Sequence, residues 1–139
     1  GFGALTEKVE GASRSHGNIH LHKAVPANEV ARYSAGADVG LVTIEPVSQS
    51  YLYAMPNKMF ECRMAGIPVI VTNLPDMAKM IETYGGGWTV EPNANALAGL
   101  VGQLDREKVD SVAANSKPFP TWDDAKAVLV DAVRKTLRT

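Results

Sequence analysis

The chain has 139 residues, and its 14 Lys and Arg nearly cancel its 15 Asp and Glu to leave a formal charge of −1. That balance, with no long run of one sign, excludes the broad basic footprint of a nucleic-acid groove or of an anionic membrane surface. The length and the 45% hydrophobic content suit one domain with a real core. Cys62 is the single cysteine, so neither an intrachain disulfide nor a thiolate metal cluster can form, and a reducing, cytoplasmic setting is expected. No apolar stretch is long enough to span a bilayer, and the abrupt opening at Gly1-Phe2-Gly3 reads as part of something longer.

In chain order, Leu5, Val9 and Ala12 recur at helical spacing in a polar stretch. Asn18-Ile19-His20-Leu21-His22 reads as a first strand. Pro26-Ala27-Asn28 opens a helix carrying Val30, Ala31, Tyr33 and Ser34, with Asn28 as its N-cap. Val39 to Ile44 is a nearly continuous apolar run, the pattern of a strand covered on both faces. The loop from Glu45 to Pro56 is about twice the usual connection length, and such loops in compact α/β domains often bind ligands. A short helix follows from about Asn57 to Ala65, ended by Gly66.

Pro68-Val69-Ile70-Val71-Thr72 is the clearest strand. Asp76 is placed to cap a helix holding Met77, Met80 and Ile81, which Gly85-Gly86-Gly87 stops, and Trp88-Thr89-Val90 is a short strand. Leu97, Leu100, Val101 and Leu104 form one face of an amphipathic helix. Lys117-Pro118-Phe119-Pro120 breaks the chain. Thr121-Trp122-Asp123-Asp124 then has the form of a capping box with Asp in place of Glu. Beyond it, Val128, Leu129, Ala132 and Val133 make an apolar stripe, part of which needs a partner surface outside this chain. Alternating strand and helix patterns predict a parallel α/β sheet, with 1–139 as one domain and 121–139 as its terminal helix.

In open parallel sheets, ligands bind at the carboxyl ends of strands, near helix N-termini. Met55-Pro56-Asn57-Lys58-Met59-Phe60-Glu61 sits at such a place. Pro56 lacks the N–H that would go unpaired at a helix start, and the free amides of the first turn favour an anion. Lys58 adds positive charge there. Asn57, Lys58 and Glu61 share one flank of the helix, while Phe60 and Met64, four apart, are expected to face the core. Positive charge for phosphates, with a carboxylate one turn away for the vicinal diol of a ribose, describes a nucleotide site.

Plainer readings stand beside this one. Glu61 can complement the helix dipole, with Lys58 as its surface partner at i+3 spacing. His20 and His22 share a strand face, and His16 could join them on a metal, but no carboxylate lies in that run and they read as ordinary strand residues. Gly85-Gly86-Gly87 reads as a helix stop. Met55, Met59, Met64, Met77 and Met80 read as core fillers, and Cys62 as packing.

The chain resembles the C-terminal Rossmann-like domain of GT-B-fold glycosyltransferases of group 1, also called family 4. The resemblance is carried by Gly1-Phe2-Gly3, by Asn18 to His22, and by Tyr33-Ser34-Ala35-Gly36-Ala37-Asp38-Val39-Gly40-Leu41. Its centre is Pro56-Asn57-Lys58-Met59-Phe60-Glu61 with Met64-Ala65-Gly66-Ile67-Pro68-Val69-Ile70, and Phe119-Pro120-Thr121-Trp122 closes it. In this family a Glu, seven intervening residues and a second Glu contact the donor. The second acid matches Glu61 and is assigned the ribose hydroxyls, whereas the first falls on Tyr53. Ala54 to Lys58, including Met55, Pro56 and Asn57, matches the diphosphate-binding turn, and Lys23-Ala24-Val25-Pro26 resembles the turn beside the nucleobase.

The resemblance implies an α/β, Rossmann-like sheet flanked by helices: an N-terminally truncated GT-B C-terminal domain. Two strands, the acceptor-binding N-terminal domain and the basic residues that steady the leaving diphosphate are then expected upstream, which leaves no catalytic residue in this chain and exposes pairing edges. The implied activity is retaining transfer of a sugar from a nucleoside-diphosphate-sugar donor to an acceptor, with no cofactor and no metal, in polysaccharide assembly. Any membrane association would run through the upstream domain. The alternatives are a GT-B-like nucleotide-sugar 2-epimerase and a non-catalytic nucleotide-binding or regulatory module. A phospho-acceptor receiver domain is disfavoured, because only Asp38 and Glu45 flank the Val42 strand.

Overall fold

Three short runs of apolar residues, spaced by helices, build the sheet. In a computed structural model that describes residues 3–137, β1 (Gly40–Val42), β2 (Val69–Thr72) and β3 (Gly87–Val90) pair in parallel in the order β1-β2-β3. Gly40 stands opposite Val69, and Val69 opposite Gly87. This open parallel sheet with flanking helices is the predicted α/β, Rossmann-like class. Gly1 and Phe2 of the opening tripeptide lie outside the described residues.

Each parallel crossover needs a covering helix. Between β1 and β2 the chain forms α3 (Gln49–Leu52) and α4 (Asn57–Met64), and between β2 and β3 it forms α5 (Pro75–Tyr84). Side chains alternate along a strand, so Val42, Val69 and Val71 share a face and pack with Met59 of α4 and with Leu74 and Met77 around α5. β2 is buried at every position, as the unbroken Pro68–Thr72 run predicts.

The remaining helices frame the sheet. α1 (Thr6–Ser15) follows the Leu5, Val9 and Ala12 spacing, and a 3-10 turn (Ala27–Glu29) leads into α2 (Val30–Ser34), which packs on α4. α6 (Ala94–Val101), α7 (Arg106–Ala114) and α8 (Trp122–Thr136) follow β3. Among the described residues, no helix is long and apolar enough to cross a membrane. The capping box at α8 forms as read: Thr121 N–H donates to Asp124 Oδ2 at 2.7 Å, and Asp124 N–H donates to Thr121 Oγ1 at 3.3 Å. The Thr121 amide holds the Asp124 carboxyl below the usual carboxylate range. Every described position of α8 is exposed, including the Val128, Leu129, Ala132 and Val133 stripe.

Several expectations are corrected. Asn18 to His22 is not a strand; a strand exists only through its ladder, and none of the described residues gives this segment one. Asn28 is not an N-cap, because the chain turns one residue earlier and places it inside the 3-10 turn, with no side-chain cap. β1 is shorter than Val39–Ile44 and lies at the sheet edge, where Leu41 is 53% exposed rather than covered. Asp76 does not cap α5: Leu74 is the N-cap and Pro75 takes the first position, which puts Asp76 in the first turn. Met64 points to solvent at 81% exposure while Met59 is fully buried, so α4 is rotated relative to the expected Phe60–Met64 stripe. Trp88 to Val90 does form a strand, but it begins one residue earlier, at Gly87.

Two features went unread. α7 begins at Asp105, whose carboxylate accepts the Lys108 N–H at 2.8 Å and is held below the ordinary carboxylate range by that bond. Arg63 at the end of α4 stacks 5.3 Å from the Phe119 ring, which meets Phe60 and Tyr84 edge-on at 5.8 and 5.6 Å. Its Nε is buried without a partner, and desolvation lowers its pKa. This cluster fastens the Lys117–Pro120 segment to the helices beneath it.

Candidate functional site at the carboxyl edge of the sheet

β1, β2 and β3 end at Val42, Thr72 and Val90, and their carboxyl ends open on one side of the domain. Thr72, 1% exposed, turns its Oγ1 to accept the Ile44 N–H at 2.8 Å. That bond ties the end of β2 to the point where the Glu45–Pro56 loop departs. The loop is not structureless, since α3 sits within it, capped by Ser48. Ile44, Leu52 and Met55 pack against the buried cluster around Val42 and Met59. The loop is therefore anchored at both ends and in its middle, and it delivers the chain to α4 in a fixed place.

α4 begins after Pro56, whose ψ of 140° is extended, and no side chain caps the helix. Ser48, Asn93, Asp105 and Thr121 do cap α3, α6, α7 and α8. Asn57 and Lys58 are exposed and Glu61 is half-buried. None of these three side chains forms a hydrogen bond or ion pair with a described residue. Lys58 and Glu61 are thus not the surface ion pair of the plainer reading. Cys62, half-buried behind them, has its thiol pushed up by desolvation and then by the Glu61 charge, with Lys58 acting in the opposite sense.

The other predicted positions disperse around this point. Tyr53 ends α3 and is 55% exposed, and the Ala54 N–H donates to Tyr51 O at 3.2 Å. Ala54, Met55 and Pro56 are half-buried. Val25 lines a separate concavity with His22, Lys23, Val30, Tyr33 and Ser34, which neither Lys58 nor Glu61 lines. The structure therefore brings Met55, Pro56, Asn57, Lys58 and Glu61 together on one helix start, and it leaves Val25 apart. Lys58 and Glu61 stand on an open flank. His20 and His22 are exposed, and no group of three or more His, Cys, Asp or Glu able to hold a metal gathers among the described residues.

A pocket at the same edge went unread in the sequence. It has a volume of about 240 Å3, and Thr43, Glu45, Thr72, Glu91, Asn93 and Leu97 are among its walls. Its residues come from three strand ends and from the start of α6, and no short motif announces them.

An open parallel sheet flanked by helices is a Rossmann-like α/β domain, here consistent with the C-terminal domain of a GT-B protein. The sequence pattern of the family described as "Glycosyl transferases group 1" matches residues 1–106. The chain belongs to that family, and membership supports a role in glycosyl transfer. Neither the curated proteins nor the solved structures offer a match to it. Residues 107–139, which hold most of α7 and all of α8, lie beyond the matched span.

Proposed function

We propose that this chain is the donor-binding part of a retaining glycosyltransferase that takes its sugar from a nucleoside diphosphate. The observation that carries the reading is the Glu61 carboxylate, unpaired one turn inside an uncapped helix whose first turn also presents Lys58. The amides of Asn57 and Lys58, with the helix dipole and the Lys58 ammonium, form a seat for a diphosphate. The same groups stabilise the negative charge that grows on it as the sugar leaves. Glu61 accepts hydrogen bonds from the two ribose hydroxyls and so fixes the donor's position. No metal is required in this scheme, because positive charge already stands at the seat.

The open flank of α4 fits a cleft that a second, acceptor-binding domain closes. On this reading the domain works in the cytoplasm, and its acceptor belongs to surface polysaccharide assembly. Catalytic basic residues are assigned to the partner half of the protein and not to this chain. Titration of UDP, GDP and ADP onto the folded protein tests the seat. One nucleotide should bind selectively, and Glu61→Ala should weaken it by about 1–3 kcal/mol, the cost of losing a charged hydrogen-bond partner. Equal, negligible binding of all three by a protein with intact circular dichroism refutes the reading.

A further inference from the structure

The strap between α7 and α8, Lys117-Pro118-Phe119-Pro120, is exposed except at Phe119. Two contacts hold it to the body of the domain. Lys117 N–H donates to Tyr84 O at 2.8 Å, and the Phe119 ring sits among Phe60, Arg63 and Tyr84. Phe60 and Arg63 lie three apart on α4, so they present one side of that helix. Glu61 stands about 100° round the helix from Phe60, and Met59 about as far round in the other sense. Met59 is fully buried in the cluster under the sheet. That contact sets how closely α4 approaches the sheet, but a helix held along one line can still roll about it. The Phe119 contact supplies a second line, and the roll of α4 is what aims Glu61.

Arginine is a costly choice for this place. The Arg63 guanidinium lies 5.3 Å from the Phe119 ring centroid and against Gly86, where a Cβ would overlap it. Nη1 donates to Ile67 O at a long 3.4 Å, and Nε is buried with no partner among the described residues. A buried N–H left unpaired is unfavourable, and Leu or Met would fill the same space without one. What arginine adds is a flat cation over an aromatic ring, and Phe60 and Tyr84 meet that ring edge-on. The stack exists only while the strap is seated. Unseating Phe119 would take away the ring from Arg63 and from Phe60 at once, and with it the second hold on α4.

We propose that Arg63 and Phe119 are positioning residues for the nucleotide: stacked together, they set the roll of α4 and so aim Glu61. This rests on the donor-binding reading of α4. Seating of the strap and binding of the nucleotide then favour each other by the same factor in both directions. The test combines calorimetry, with whichever of UDP, GDP and ADP binds the wild type, and hydrogen exchange of single backbone amides. Phe119→Leu keeps apolar bulk without the ring and should weaken that nucleotide about ten-fold, within the usual range of such couplings. Arg63→Met keeps the length without the cation and should act in the same direction, whereas Phe119→Tyr keeps the ring and should retain wild-type affinity. Val109→Ala empties a buried site on α7. It should lower stability yet leave the affinity of the folded protein unchanged, which separates positioning from general destabilisation. In the wild type, which needs no variant to fold, the nucleotide should slow exchange of the Lys117 amide more than that of the Val109 amide. Unchanged affinity in Phe119→Leu, an equal loss in Val109→Ala, or equal slowing of the two amides overturns the positioning role and leaves the nucleotide seat standing. Failure of the wild type to bind any of the three nucleotides overturns the seat, and the positioning role with it.

Discussion

Gly87→Ala should cost about 3 kcal/mol or more, a large part of the roughly 5–15 kcal/mol that holds a domain of this size together. Gly87 opens β3 opposite Val69. A methyl group at position 87 would land inside the contact shell of the Val69 carbonyl oxygen and press on Ile81 Cδ1 at 2.9 Å and Val69 Cγ2 at 3.0 Å. The backbone oxygen cannot swing aside as a flexible side chain can, so the β2–β3 ladder has to part. β2 is the central strand, and loosening it disturbs both sheet faces. Gly99→Ala in α6 is the matched control, since a methyl there meets nothing within 4 Å. It should raise stability by about 0.5–1 kcal/mol through helix propensity. Urea denaturation of both variants decides the matter, and a Gly87→Ala midpoint equal to wild type defeats the argument.

Met59→Ala should cost about 2–5 kcal/mol, the range for emptying a buried aliphatic site. Met59 is fully buried among Val42, Val69, Val71, Leu74 and Met77, so its removal leaves a void bounded by three elements. Met64→Ala on the same helix removes an 81%-exposed side chain and should stay within about 0.5 kcal/mol of wild type. The pair reads the rotation of α4 directly: similar losses at both positions contradict it. Because Met59 sits between Lys58 and Glu61 in sequence, the folded fraction of Met59→Ala should also hold nucleotide less tightly.

How legible this molecule is in its sequence depends on how local each cause is. β2 was legible because an apolar run with no polar break has one place to go in a parallel sheet. The α8 cap was legible because Thr121 and Asp124 satisfy each other within one turn. The start of α4 was legible for the same reason, from Pro56 and the glycine that ends the helix. Asn18 to His22 misled because β-propensity describes a surface ready to pair and says nothing about whether a neighbour is present. Met59 and Met64 were confused because helix rotation is set by what the sheet presents, and both residues are equally apolar. Asp105 and Lys108 signal α7 in hindsight, but an aspartate followed by charged residues reads as easily as a solvated loop. The Glu45–Glu91 pocket was beyond reach, since it exists only once parallel pairing brings separate strand ends side by side.

The full exposure of α8 carries a consequence for its dynamics. A helix of its length is marginal by itself in water, and without a packed face its turns open independently of the sheet. Its backbone protons should trade with solvent deuterium long before those of β2, which open only when the whole domain does.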